Sequence, residues 1–497
     1  MNSYKKSVES LALVEQSFDV NSVYYKKFNI WPLIRLALWS HLLQPDIQYK
    51  KNSLETNHVA PVFNIDENQL QLLDSKNKAD IIFFSRNEEY SDRFDDKYYN
   101  PFIDPIINLI KGHFNYIKIE LNSKEIFKTL PRYESTFFFN PKSISFKNDK
   151  TVSIKNFSGL QEVVNSILNI HIDETIFLEQ ARYIEARYVY FKKILSILRP
   201  KILFLVCYYS SIAMSIVSAC RSLKITTVDI QHGKQGKYHG LYTHWTNIPK
   251  EGYNLLPDFF WTWGLETANN IKKWYPVECQ HHLPIIGGNR WIAEWIEGKN
   301  FKIDKKKEDF CNFLKNLEKV IIVSLQPLDK PLPIAVIDAM KNSPKKWLWL
   351  IRLHPRNKHQ KKNFQASFLQ KGLKNYEIDF ATNCPLYMLL KNCHHHVTAF
   401  SSVCYEALTF GVPTTITHPT GKDLYSDYIN KGIFSYTEDG DALLAIIRKA
   451  YSKKQIKEES IYIETSRKCA ENAINTIIYK ALQNLKTKSE NEVYQKP

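Results

Sequence analysis

The sequence predicts an α/β protein of two Rossmann-like domains facing a cleft, with a helical N-terminal segment and C-terminal helices. Three observations carry that prediction. Strand-sized apolar runs alternate with helical periods, which is the signature of a mostly parallel sheet. Several of those runs end abruptly in polar loops containing histidine or serine. The chain has 497 residues, too many for one ordinary core, and its 44% hydrophobic and 13% aromatic content is ample for two.

Residues 1–75 read as a helical start, with Ile30-Trp31-Pro32 opening an amphipathic helix to Trp39. The first Rossmann-like domain is placed at 76–300. Ile81–Phe84 is its first strand, ending in a loop with Glu88 and Glu89; Pro105 starts a helix, and Tyr116–Glu120 is a second strand. Residues 121–180 read as an insertion with small strands. The apolar stretch Ile202–Cys220 approaches the ~20 residues of a membrane span. Tyr208-Tyr209-Ser210-Ser211 divides it, so it reads as a strand, a serine-capped turn and a helix over 211–222. Strand Thr226–Ile230 follows, and Ile285-Ile286-Gly287-Gly288 closes the domain. The second domain is placed at 301–440, and residues 441–497 as helices packing across both domains.

Three loops at strand ends hold the chemistry. Ala399-Phe400-Ser401-Ser402 leads into a helix with Glu406 one turn in. Serines at a helix start leave amides for a phosphate, and a carboxylate four or five residues on lies within reach of a ribose hydroxyl. An ordinary serine-capped helix is the alternative. The run Trp347–Ile351 ends in Arg352, His354 and Pro355; proline cannot donate to a ladder, so the strand stops there. Ligands of open α/β sheets bind beyond the carboxyl ends of strands, where His354 and Arg352 are expected. The third loop is Gln231-His232-Gly233. Gly233 permits a sharp turn and close approach of a ligand, and His232 titrates near neutrality, as a general base requires. A histidine bonded to neighbouring backbone is the alternative. Lys234, Lys237, His239 and His244 follow in a loop suited to lining an anion-accepting cleft.

Composition sets the outer limits. With 67 basic and 51 acidic residues the formal charge is +16, which favours anionic partners. No run of five basic residues and no nucleic-acid motif is present, so nucleic acid is not expected. Eight cysteines without Cys-x-x-Cys spacing read as reduced thiols, and Cys393-His394-His395-His396 has no partner cluster with zinc spacing; no metal site is expected. The N-terminus lacks the apolar core of a signal peptide. The expectation is a cytoplasmic protein, with peripheral docking at the inner membrane left open.

These pieces together resemble bacterial surface-polysaccharide transferases of the two-domain GT-B fold. That group includes polysialyltransferases, capsule Kdo transferases and the CDP-glycerol glycerophosphotransferases of teichoic acid synthesis. The matching residues are Trp31-Pro-Leu-Ile-Arg35, Gln231-His-Gly233, Pro257-Asp-Phe-Phe-Trp-Thr-Trp-Gly264, His354-Pro355, Pro385-Leu-Tyr-Met-Leu-Leu390, and Ser401-Ser402 through Glu406 to Pro413. The resemblance implies a glycosyltransferase acting on a capsule or lipopolysaccharide acceptor, an oligosaccharide or lipid-linked glycan. It places the donor phosphates on His354, Ser401 and Ser402 with Arg352 nearby, and the ribose on Glu406. It makes His232 the base, with Glu89 and Glu88 as the alternative, although Tyr90 breaks the acidic-pair-glycine pattern of the polysialyltransferases. No cofactor is implied beyond the nucleotide-sugar donor, and no Asp-x-Asp signature calls for a metal. A CDP-dependent polyol-phosphate transferase, a sugar-nucleotide epimerase and a non-catalytic polyanion-binding protein are the competing readings.

Overall fold

The chain divides into two units, Met1–Trp291 with Glu464–Pro497, and Ile292–Ile463. The computed structural model describes residues 4–43, 61–62, 79–86, 92–94, 97–121, 131–139, 142–143, 152–298, 304–328, 332–449 and 462–493.

The first unit is built on a seven-stranded sheet. Its strands are β1 (Ile81–Arg86), β2 (Tyr116–Leu121), β3 (Thr136–Phe139), β4 (Ile202–Val206), β5 (Thr226–Ile230), β6 (Phe259–Thr262) and β7 (Leu283–Ile286). They lie in the order β7-β6-β5-β4-β1-β2-β3, every neighbouring pair parallel. Its helices include α1 (Tyr4–Ser17), α2 (Trp31–Leu43), α3 (Asp104–Ile110), α4 (Phe157–Leu168), α5 (Glu174–Leu198) and α6 (Ser211–Ser222).

Successive strand residues face opposite sides, so each strand feeds two cores. Ile82, Phe84, Leu203, Leu205 and Phe260 join side chains of α1, α2, α4, α5 and α6 on one face. Ile81, Phe83, Phe204, Val206 and Trp261 meet α3 and the C-terminal helix Arg467–Val493 on the other. Burial on both sides explains why these strands read as unbroken apolar runs.

Two sequence expectations change here. Helix α2 is not amphipathic: Trp31, Leu33, Ile34, Ala37, Leu38 and Trp39 are all buried, and so is Arg35, on whose carboxylate partner the helix depends. Residues 121–180 are not mainly an insertion of small strands. They contain β3, all of α4 and the start of the 25-residue α5. The stripe Phe177, Ala181, Ile184, Tyr188, Phe191, Leu195, Leu198 steps by four and three, a helical period that tyrosines and interspersed charges obscured. The stretch 202–220 is a strand and a helix as expected, with Ser210 Oγ capping α6 by accepting from Ala213 N at 3.2 Å. Among the described residues, no helix is long and apolar enough to cross a membrane.

The second unit holds a six-stranded parallel sheet of β8 (Lys319–Ser324), β9 (Trp347–Arg352), β10 (Tyr376–Glu377), β11 (His395–Thr398), β12 (Thr414–Ile416) and β13 (Phe434–Tyr436). Its order, β10-β9-β8-β11-β12-β13, is that of a doubly wound nucleotide-binding sheet. Helices α7 (Lys305–Leu314), α8 (Ile334–Asn342), α9 (Lys361–Gln370), α10 (Val403–Thr409) and α11 (Gly440–Arg448) accompany it. Of the C-terminal helices, α11 packs on α8 in the second unit and Arg467–Val493 packs on β4, β5 and β7 in the first.

Candidate active site

In each sheet the strand order reverses once, and the loops leaving the carboxyl ends there diverge and open a crevice. In the first unit that point lies between β1 and β4. Strand β4 ends in Cys207-Tyr208-Tyr209, with Cys207 in the left-handed region at φ 63°. Next to it, β5 ends in Gln231-His232-Gly233. Tyr209 Oη and His232 Nε2 are 3.0 Å apart. His232 Nδ1 is buried without a well-formed hydrogen bond. Burial, then the nearby Arg86 guanidinium at the end of β1, pull the His232 pKa down to about 4. The imidazole is therefore neutral at physiological pH and has a lone pair to offer.

The loop carrying His232 owes its shape to Gln231. Gln231 Oε1 accepts from Trp263 N at 2.7 Å, and its Nε2 donates to Gly233 O at 2.8 Å. Gly233 is not in the left-handed region, and a Cβ there would meet nothing within 4 Å. The turn thus rests on the glutamine side chain rather than on glycine's backbone freedom.

Behind His232 lies a buried carboxylate. Asp229 Oδ1 accepts from Tyr208 N at 3.0 Å and Oδ2 from Tyr242 Oη at 2.8 Å. Burial outweighs those bonds and pushes its pKa up to about 7. Tyr242 sits in a loop that Arg35 ties down from inside the core. Arg35 Nε donates to Gly240 O at 2.8 Å, Nη2 to the carbonyls of Thr243 and His244 at 3.0 Å, and Nη1 pairs with Glu15 Oε1 at 2.5 Å. Gly240 is needed here, because a Cβ would come within 2.6 Å of the Trp39 ring. The Trp31–Arg35 motif is therefore a clamp on the 240–244 loop, not a ligand contact.

The expected cleft-lining loop is mixed. His239 joins the cluster, its ring 5.8 Å from Tyr209 and 4.9 Å from Tyr242. His244 does not: it is buried and stacks on Trp274 at 4.1 Å. Glu88 and Glu89 lie outside the described residues.

In the second unit the order reverses between β8 and β11. Ser324 of β8 is in register with Arg352 on one side and Thr398 on the other, so His354 and Ser401 lie just beyond the ends of the two strands that flank β8. Leu353 N donates to Thr382 Oγ1 at 3.2 Å, which anchors the His354 turn. Arg352 points elsewhere than expected. Its Nη1 donates to the carbonyls of Ala381 and Cys384 at 2.7 and 2.8 Å, so part of the guanidinium braces that turn.

Only one of the two serines caps the helix. Ser402 occupies the position before α10 but is already helical (φ −63°, ψ −15°) and makes no capping bond, because a cap needs extended backbone. Ser401 does the capping, accepting from Val403 N at 3.3 Å. Its own carbonyl accepts from Tyr425 Oη at 2.9 Å, which pins the turn. Glu406 is buried, with Oε1 accepting from Tyr387 Oη at 2.7 Å. Burial raises its pKa to about 7, against the pull of Tyr387 and Arg352. A ligand hydroxyl would have to use its second oxygen. The neighbouring histidines are packing residues: His395 Nε2 lies 2.8 Å from Thr415 Oγ1, and His396 bridges Thr414 and Ser324 at 3.1 Å.

The structure thus brings His232 together with His239, which the sequence placed in a cleft-lining loop, and with Arg86, Tyr209, Asp229 and Tyr242, none of which sequence reasoning placed in a catalytic or binding role. Tyr208-Tyr209 and Asp229 stand at strand ends, where a signal was available. Tyr387 lies in the Pro385–Leu390 motif, which carried a resemblance but no role, and Tyr242 gave no signal.

No family model and no curated protein matches the sequence. Solved structures do match in three dimensions. The UDP-GlcNAc 2-epimerase of Methanocaldococcus jannaschii is 14% identical over 80% of this chain and 99% of its own, with a TM-score of 0.52. The UDP-GlcNAc 2-epimerase of Neisseria meningitidis bound to UDP-GlcNAc is likewise 14% identical, with the same coverage and a TM-score of 0.50. The wall teichoic acid polymerase TagF, 11% identical over 89% of this chain and 98% of its own, scores 0.47, too low to carry an argument. The fold is shared. It is the GT-B type of α/β fold, two Rossmann-like units in tandem, and the likeness shows that alone.

Proposed function

We propose that this chain is a glycosyltransferase that moves a sugar from a nucleotide-activated donor to a growing surface polysaccharide. One observation carries the reading: each sheet ends, at its switch point, in side chains suited to one half of a transfer reaction. The first unit offers a neutral imidazole at His232; the second offers His354, Ser401 and Ser402 where a diphosphate would lie. That the epimerase of the same fold from Neisseria meningitidis binds UDP-GlcNAc supports a nucleotide sugar as donor.

In this mechanism the acceptor hydroxyl attacks the anomeric carbon and passes its proton to His232 Nε2. The bond from that carbon to the diphosphate oxygen breaks, its electron pair leaving with the nucleotide. His354, the two serine hydroxyls and Arg352 meet the developing charge, where one such donor is typically worth about 10²–10³ in rate. A buried imidazole with a pKa near 4 is a weak base by itself. Glu88 and Glu89 remain the alternative base.

A polyol-phosphate transferase with a CDP-activated donor would use the same groups at phosphorus, giving a phosphodiester instead of a glycosidic bond. An epimerase would convert the nucleotide sugar without an acceptor. Product analysis distinguishes all three.

The donor site is tested by thermal unfolding with CMP, CDP, UDP, GDP and their sugar conjugates. A ligand at a hundred times its Kd adds about 2.7 kcal/mol of stability. One nucleotide family should stabilise the protein, and His354→Ala should lose that response while unfolding at the same temperature without ligand. No response to any nucleotide would replace the transferase with the polyanion-binding reading.

A further inference from the structure

We propose that the amino-terminal edge of the second sheet is a docking surface for an anionic lipid bilayer. Three turns enter that edge, before β8, β9 and β10, and hydrogen bonds hold them side by side. Ser343 Oγ accepts from Asn375 Nδ2 at 2.7 Å and from Trp349 Nε1 at 3.1 Å, joining the second turn to the third. Trp347 Nε1 donates to Glu318 Oε1 at 3.1 Å, joining the second to the first.

Each turn carries a pair of lysines: Lys315 and Lys319, Lys345 and Lys346, Lys371 and Lys374. Glu318 is the acidic residue among them. Beside the lysines stand two large apolar side chains left in solvent, Phe313 at 51% and Leu369 at 78% exposure. Lysines at helix ends complement the helix dipole, which accounts for charge at this edge but not for exposed phenylalanine and leucine. A polybasic patch with apolar anchors is the two-signal combination that holds a protein on a bilayer. Nucleic acid is the poorer fit, since this edge has neither arginine forks for phosphate nor a stack of aromatic rings for bases. The candidate donor groups lie at the opposite, carboxyl edge of the same sheet, so a docked unit keeps them open to solvent. The proposal stands independently of the transferase reading.

The test is co-sedimentation of the full chain with vesicles of phosphatidylcholine alone and with added phosphatidylglycerol. Binding should require phosphatidylglycerol and weaken with salt. Lys345→Gln/Lys346→Gln/Lys374→Gln should lower partitioning roughly a hundredfold, at about fivefold per lysine. Leu369→Asn should remove the part that survives high salt. A control removing as much charge from the first unit, Lys224→Gln/Lys250→Gln/Lys272→Gln, should lose far less. Thermal unfolding of each variant checks that these exposed changes leave the fold intact, and Leu369→Asn alone serves if the triple variant fails. Equal loss in the control, no binding to anionic vesicles, or tighter salt-sensitive binding to RNA through the same lysines would each overturn the assignment.

Discussion

The carboxyl edges of the two sheets use the same device to different ends. Each buries a carboxylate against a tyrosine hydroxyl, Asp229 against Tyr242 in the first unit and Glu406 against Tyr387 in the second, and in each burial pushes the carboxyl to about 7. In the first unit both carboxylate oxygens are engaged, one of them by the main chain of the loop that carries Tyr209. That crevice is pre-set: Asp229 holds Tyr208, Tyr209 meets His232, and Gln231 fixes the turn. In the second unit the braces act mainly on backbone, with Tyr425 on Ser401 O and Arg352 on Ala381 O and Cys384 O. A site that moves a proton gains from a fixed base. A site that takes up a charged leaving group gains from braced loops that present hydroxyl and imidazole groups.

The sharpest way to break this comparison is His232→Ala. Transfer should fall by about 10²–10⁴ while nucleotide-induced stabilisation is retained, because the change removes a base and leaves the second unit untouched. Loss of nucleotide response instead would show that the division of labour between the units is wrong.

A smaller effect sharpens it. Tyr242→Phe and Tyr387→Phe each remove a hydroxyl from a buried carboxyl and should cost about 1–3 kcal/mol in denaturant unfolding. The consequences should differ. Tyr242→Phe frees Asp229 and disturbs His232, lowering turnover at unchanged donor KM. Tyr387→Phe loosens Glu406 and raises donor KM. The same kinetic signature in both variants would erase the distinction.

The smallest effect is on stability against pH, and there the units act alike. Burial lowers His244 to about 4 and His282, His395 and His396 to about 3. Below the unfolded value near 6.5 the unfolded chain binds protons that the folded chain refuses, so this contribution is present above 6.5 and lost as pH falls toward 3–4. Asp229 and Glu406 work in reverse: raised to about 7, they favour the folded state at low pH and lose that contribution as pH rises through 7. With His232 lowered to about 4 and His239 to about 3 in the same way, six histidines outweigh these two carboxyls. Chemical denaturation should show stability rising from pH 4.5 to 6.5, by at most about 5 kcal/mol per unit. A flat or falling profile would mean that the histidines are not buried neutral.

Much of the fold was legible because parallel strands buried on both faces leave unbroken apolar runs, and His-Pro, Gln-His-Gly and Ser-Ser mark where they stop. His232, His354 and Ser401 stand at strand ends for that reason. Helix α5 was missed although its stripe has a helical period, because tyrosines and Arg187 occupy positions where aliphatic residues are expected. Arg35 carries the same lesson from the other side. As a motif it marked a family resemblance without a role, and the structure gives it one: it lies wholly buried with Glu15 beneath the 240–244 loop.

What the sequence by itself determined is the alternation of strands and helices, and which polar residues follow each strand. Those follow from local pattern: continuous apolar runs, breakers and caps. Only the tertiary structure decided that Ser401 rather than Ser402 caps α10, that Arg352 braces a turn, and that Asp229 and Glu406 hold their protons to near neutrality. Each of these depends on backbone angles or burial set by partners tens of residues away, and local sequence does not encode a distant partner's position.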